Sequence, residues 1–215
     1  SFAAPIEGAY YGDQLDDMEM QGRITSVPHQ PEAQCWTEWD LGIDDDMHIN
    51  IKQQIGKEIH QIDEIVLNGK GLEDAVKELR RDHRAKYVYK AHLLPHDVAA
   101  RELGTGKSRK EVLQNLVGDN EPVMVVPAMR VEDGIQAVRV TLPLVWVDKK
   151  KCPRTINSLR NYSRGKNGKP LHNWASHAAD ATRTGATGMH LVMNWSGNVT
   201  SMVNGRLRRR IRGRV

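Results

Sequence analysis

The sequence predicts an α/β fold: a central mixed sheet of five or more strands, the first three antiparallel, flanked by helices on both faces. Two observations carry this. Residues 34–67 hold three extended segments joined by short turns, the pattern of an antiparallel meander. Beyond them, stretches of helical periodicity alternate with short apolar runs, as strands linked by crossover helices do.

Residues 1–33 are polar, with acids at Asp13, Asp16, Asp17 and Glu19 and prolines at 28 and 31. They read as an irregular lead-in or linker with one short helix. Residues 34–41 read as the first strand. Residues 47–54 alternate apolar and polar side chains, a half-buried strand. Ile55-Gly56-Lys57 is a tight turn, and 58–67 is the third strand. After Asn68-Gly-Lys-Gly71, the residues Leu72, Ala75, Val76 and Leu79 recur at helical spacing with charges opposite them. Residues 86–94 form a fourth strand closed by Pro95. A helix in two parts follows, separated by Gly104-Thr-Gly106, and Ser108 is an N-cap for 109–117. Residues 123–126 are wholly apolar and end at Pro127, the pattern of a strand buried on both faces. Residues 131–140 read as helix, 144–147 as extended, and 155–164 and 174–183 as helices. From Gly185 the pattern weakens, so 34–185 read as the folded domain and 186–215 as a flexible basic tail.

Of 215 residues, 39% are hydrophobic and 27% charged, a soluble globular balance. With a single Phe, the core rests on Val, Ile, Leu, Met and five Trp. No apolar run approaches the roughly 20 residues of a membrane span, and the start lacks the basic and apolar stretches of a signal peptide. It also lacks Met, as a piece of a longer chain would. Cys35 and Cys152 form no CxxC pair, which argues against structural zinc and fits a reducing compartment. The net charge of +4 is uneven. Six arginines crowd the last ten residues, and without them 25 basic residues face 27 acidic ones. A second basic stretch, Lys149 to Lys169, contains no acid. Such blocks contact phosphates, or are simply solvated faces.

The candidate chemistry lies in carboxylates. Asp40 ends the first strand, and Asp44, Asp45 and Asp46 follow its turn. Four repelling acids in seven residues suit a hard divalent cation. Asp97 lies just past the fourth strand, and Asp180 sits on a late helix among alanines. If the first and fourth strands are parallel neighbours, their carboxyl ends share one edge, and a small-residue helix can dock there to add Asp180. Three converging carboxylates favour Mg²⁺ or Mn²⁺ over zinc, and two such ions about 4 Å apart serve phosphodiester hydrolysis. Each acid has a plainer role: Asp97 as an N-cap, Asp180 as partner of Arg183, Asp44 to Asp46 as a solvated turn. His96 and His177 sit beside candidate acids as supporting partners, DNA contacts or core histidines. Gly104-Thr-Gly-Lys-Ser108 resembles a phosphate-binding loop, but Arg101 stands where that motif needs glycine, and the stretch follows a helix. Lys107 and Arg109 remain candidates for DNA phosphate contact.

Five motifs in order carry a resemblance: Trp39-Asp-Leu-Gly-Ile-Asp-Asp-Asp, Leu94-Pro-His-Asp97, Gly106-Lys-Ser-Arg109, Glu132-Asp-Gly-Ile-Gln-Ala-Val-Arg139 and His172-Asn-Trp-Ala-Ser-His-Ala-Ala-Asp-Ala181. Gly8-Ala-Tyr-Tyr11 and Gly22-Arg-Ile24 add to it. Over residues 5–185 the chain resembles the C-terminal nuclease domain of the large terminase subunit of tailed double-stranded DNA bacteriophages. The resemblance implies an RNase H-like fold and a metal-dependent endonuclease that cuts concatemeric viral DNA in packaging. It implies Asp40, Asp97 and Asp180 as catalytic metal ligands for Mg²⁺ or Mn²⁺, with Asp45, or else Asp44 or Asp46, as a further acid. It also implies double-stranded DNA as substrate, and the acid-free basic stretch, with Lys149, Lys150, Lys151, Arg160, Arg164 and Lys166, is the candidate surface for its backbone. The implied partners are an N-terminal packaging ATPase domain, a portal protein and a small terminase subunit. The implied place is the procapsid in the host cytoplasm, with no membrane. For the tail, portal docking and DNA binding are both open. Other RNase H-like nucleases, of junction-resolvase or transposase type, and a non-catalytic DNA- or portal-docking module are the alternatives.

Overall fold

The computed structural model describes residues 8–42, 46–101 and 106–195, and the backbone of 202–203 and 206–207. Its strands are β1 (Ile24–Thr25), β2 (Cys35–Asp40), β3 (Asp46–Ile55), β4 (Glu58–Asn68), β5 (Tyr89–Leu94), β6 (Val123–Val125) and β7 (Val145–Asp148). They form one sheet in the order β1-β7-β4-β3-β2-β5-β6. The pairs β2–β3 and β3–β4 are antiparallel, while β2–β5, β5–β6, β4–β7 and β1–β7 are parallel. Every strand except β3 therefore runs the same way, and six carboxyl ends emerge along one edge. Gly56, at φ +60°, makes the turn between β3 and β4, where a side chain would be strained.

The α-helices are α1 (Gly12–Met20), α2 (Leu72–Leu79), α3 (Arg109–Val117), α4 (Val131–Thr141), α5 (Pro153–Asn161) and α6 (Ser176–Met193). Alternation along the strands sends Cys35, Trp39, Ile49, Ile51 and Ile62 to one face, against Leu79 of α2 and Leu113 of α3. Trp36, Ile59, Ala91 and Leu93 face the other way, with Leu15, Val138, Leu159 and Ala179 from α1, α4, α5 and α6. Helices thus cover both faces, as expected.

On the α6 side the central strands carry buried polar groups. Lys52 Nζ lies 2.7 Å from Glu38 Oε2, each side chain only 3% exposed. The Trp36 indole donates to Glu38 Oε1 at 3.1 Å. Gln61 Nε2 donates to Asn50 Oδ1 (2.9 Å), and Asn50 Nδ2 to Thr182 Oγ1 on α6 (3.2 Å). Glu64 accepts from the Arg154 and Thr155 backbone N–H groups at 2.7 and 2.8 Å, capping α5. Helix α6 lies this close because residue 185 is glycine: a Cβ there would overlap the Glu38 carboxylate.

His48 belongs to this layer. Burial is the main cause holding its pKa down at about 4, against the hydrogen bond to Asn50 that raises it. It is neutral at pH 7, so its 3.6 Å approach to Glu64 is not an ion pair there. Between pH 6.5 and about 4 the unfolded chain binds a proton that the folded one refuses. Stability from this group is full above pH 6.5 and falls with pH, by at most about 1.4 kcal/mol per unit. Urea midpoints from pH 7 to 4.5 should fall more steeply for the wild type than for His48→Gln; parallel curves would acquit His48.

Several expectations change. Helix α6 runs to Met193, so 186–193 are helix and not the start of a tail. The close contacts of Gly185 on Glu38 and of Gly188 on Val126 and Leu93 explain why glycines stand in it. Strand β6 lies at the sheet edge, with Val123 packed into one core and Met124 partly buried against the other. The fourth strand starts at Tyr89 rather than at 86. The first part of the expected two-part helix is a 3-10 turn, His96–Ala99, whereas α3 has the expected Ser108 cap, closed reciprocally by Glu111. The segment before β2 is packed, since α1 buries Leu15 and Met18 and β1 extends the sheet. Within the segment expected to be flexible, β8 (Met202–Val203) and β9 (Arg206–Leu207) pair antiparallel. Among the described residues no helix is long and apolar enough to cross a membrane.

Candidate metal centre

Strand β2 delivers Asp40 at its last residue. The parallel neighbour β5, in register from Trp36↔Ala91 to Glu38↔Leu93, ends at Leu94. Pro95 then turns the chain into the 3-10 turn that carries Asp97. Adjacent strands lie about 4.8 Å apart, so both acids leave the sheet at one place. Helix α6 lies over the same edge with Asp180 in its second turn. All three acids line one cleft of about 360 Å³, together with His96, Arg130 and Arg183.

Asp40 Oδ2 is 3.0 Å from His177 Nδ1, so a proton on that nitrogen is donated to Asp40. The His177 ring in turn packs edge-on to His172, 5.9 Å between centroids. Burial pushes the Asp180 carboxyl up to about 6; the Arg183 charge opposes this and the Asp40 charge adds to it. Asp180 Oδ1 is 2.8 Å from Arg183 Nη1. The approach lies off the hydrogen-bonding line, and among the described residues this buried oxygen accepts no hydrogen bond.

These residues fit a hard divalent cation. The acids are oxygen donors, one has a buried oxygen without a hydrogen bond, and their like charges repel. Among the described residues no three acidic, histidine or cysteine side chains alone stand close enough to enclose an ion. The acids share a cleft without forming a closed cage.

The other expected residues are placed unevenly. Asp44 and Asp45 lie outside the described residues. Asp46 is held by Asn68 Nδ2 (2.8 Å) and Arg154 Nη2 (3.0 Å), the contacts of a structural turn residue. His96 lines the cleft and His177 touches Asp40. Lys107 and Arg109 flank the start of α3, which packs on the Asp97 turn. Lys149, Lys150 and Lys151 are exposed in the turn after β7, fixed where Asp148 accepts from two of their backbone N–H groups at 3.0 Å. They stand on the same sheet edge as Asp40, three strand positions away in the sheet order, roughly 14 Å. Arg160 is bound to Asp16 (3.1 Å) and Glu19 (2.6 Å) of α1, so its charge is engaged inside the chain. Arg164 and Lys166 are exposed in the loop before α6. The sequence reading missed the Glu38–Lys52 pair beneath Asp40, and saw Arg183 only as a partner of Asp180.

No protein-family model matches the sequence, and no curated protein matches it. Solved structures do match. The P22 large terminase nuclease domain superposes with a TM-score of 0.62 at 18% identity, covering 79% of this chain and 89% of that one. The chain has the fold of the large-terminase nuclease domains. The large terminase nuclease of thermophilic phage G20c, solved with bound cobalt, gives 0.56 at 16% identity and covers 85% and 98%. A large terminase from another thermophilic bacteriophage gives 0.63 at 18% identity, with 83% of this chain matched to 45% of that one. The chain therefore spans somewhat less than half of that longer protein. The terminase nuclease fold is RNase H-like, and Asp40, Asp97 and Asp180 stand at the carboxyl edge of its sheet.

Proposed function

We propose that this domain is a metal-dependent endonuclease that cuts concatemeric double-stranded viral DNA during genome packaging. The observation that carries the reading is the cleft itself: acids from the ends of two parallel strands and from a late helix meet in it, on the terminase nuclease fold. Asp40 would be shared by two Mg²⁺ or Mn²⁺ ions, with Asp97 and Asp180 holding one each. Bound divalent cations supply Lewis acidity and a deprotonated water for phosphodiester hydrolysis. His177 orients Asp40 through the 3.0 Å contact. The exposed lysines after β7 meet the DNA backbone, and phosphate contacts give affinity without reading sequence. In a full-length protein the partners would be a packaging ATPase domain, the portal and the small terminase subunit, at the procapsid in the host cytoplasm.

Supercoiled plasmid incubated with Mn²⁺, Mg²⁺ or EDTA tests the reading. Cutting is expected with one or both ions and none with EDTA. Undiminished cutting in EDTA would contradict metal dependence. Preferential cutting of branched over linear duplex would favour a junction-resolving nuclease instead.

A further inference from the structure

Arg183 is built into the cleft in a way that a counter-ion to Asp180 does not require. Its stem crosses α4 at Gly134, where a Cβ would overlap its Cδ and Cγ atoms. Its Nη1 donates to the Tyr162 hydroxyl at 3.1 Å. Its side chain is only 24% exposed, so the guanidinium is a fixed cation rather than a waving surface charge. A guanidinium carries five N–H donors in a planar fork. Among the described residues Tyr162 is the one hydrogen-bond acceptor that Arg183 has, because the 2.8 Å contact with Asp180 is out of line. The other arginine of the cleft, Arg130, is exposed and has its fork on Asp133 at 2.8 and 3.1 Å.

We propose that Arg183 is the phosphate-holding residue of this cleft: its unused donors take the DNA phosphodiester presented to the carboxylates. This rests on the reading of the cleft as a nuclease centre. The chemistry is complementary, since three carboxylates repel a phosphodiester at short range, whereas a guanidinium fork binds two of its oxygens at once. A fork held by the Tyr162 hydroxyl and the Gly134 groove is already oriented, so little side-chain freedom is lost on binding.

The test is binding of a short duplex oligonucleotide in Ca²⁺ buffer across a salt series, by fluorescence anisotropy. Arg183→Met is expected to weaken binding about tenfold, the low end for a charged hydrogen-bonded contact, and to flatten the slope of log affinity against log salt by about 0.9, one phosphate contact. Arg183→Lys keeps a positive charge beside Asp180 but not the fork. It should fold as the wild type does and still bind several-fold more weakly, which keeps the question open to measurement if Arg183→Met fails to fold. Wild-type affinity and slope in a folded variant would overturn the proposal and leave Arg183 as a counter-ion. A separate Mn²⁺ melting series on the wild type reports on the metal centre: no stabilisation there would remove the nuclease reading, whatever Arg183 does to binding.

Discussion

Asp40→Asn is expected to fold as the wild type does and to cut plasmid about a thousandfold more slowly, or not at all. The fold survives because asparagine has the same shape and its carbonyl oxygen still accepts from His177 Nδ1, now 3.0 Å from Asp40 Oδ2. Asp40 is the last residue of β2, paired with His48 of β3 through the backbone ladder, which the substitution does not touch. What is lost is the negative charge that the proposed centre shares between two ions. Metal-ion stabilisation of the transition state supplies several kcal/mol, and about 4 kcal/mol corresponds to a factor of a thousand. Circular dichroism with gel-resolved cleavage checks both halves. A folded Asp40→Asn protein that cuts at the wild-type rate would remove Asp40 from the site.

The largest stability effect is expected around Glu38, two residues earlier. Lys52→Met leaves the Glu38 carboxylate buried without its cation. Removing one partner of a buried pair costs about 3–5 kcal/mol, which for a chain of this size lowers the melting midpoint by roughly 6–20 °C. The remaining partners of Glu38, the Trp36 indole at 3.1 Å and the Asn50 amide at 3.5 Å, are neutral and do not offset the charge. The double variant Glu38→Met/Lys52→Met should recover most of the loss, because an apolar pair can replace a buried ion pair at little cost. A Lys52→Met protein as stable as the wild type would show that water reaches this layer.

Strand ends carry most of what is legible in the sequence. The short turns define the meander, and acids at the ends of the first and fourth strands point to a shared edge, which the parallel β2–β5 ladder provides. The glycines mislead. Gly185 and Gly188 lower helix propensity by about 1 kcal/mol each, so the helical pattern weakens there, yet at both α6 lies against the sheet too closely for a Cβ. The all-apolar run at β6 reads as packed on both faces, and Val123 and Met124 do meet opposite cores, but nothing in it shows that the strand pairs with one neighbour only, at the sheet edge. Lys52 reads as a solvent-facing residue in an alternating strand. Only the register, which sets Trp36 opposite Lys52 and Glu38 opposite Asn50, makes Lys52 the diagonal neighbour of Glu38, a position from which opposite charges pair. Arg183 is legible as a cation one turn after a candidate ligand, but its groove over Gly134 depends on how α4 meets α6, which no local pattern encodes.

If the acids of this cleft hold divalent cations, the melting temperature of the domain rises with Mn²⁺ concentration. A ligand that binds only the folded state at about a hundredfold excess over its Kd stabilises by about 2.7 kcal/mol, a rise of roughly 5–10 °C here. That rise is expected for the wild type, with reversal by EDTA and loss in Asp180→Asn. A wild-type midpoint that ignores Mn²⁺, or an Asp180→Asn protein that rises as far as the wild type, would contradict metal binding by these acids.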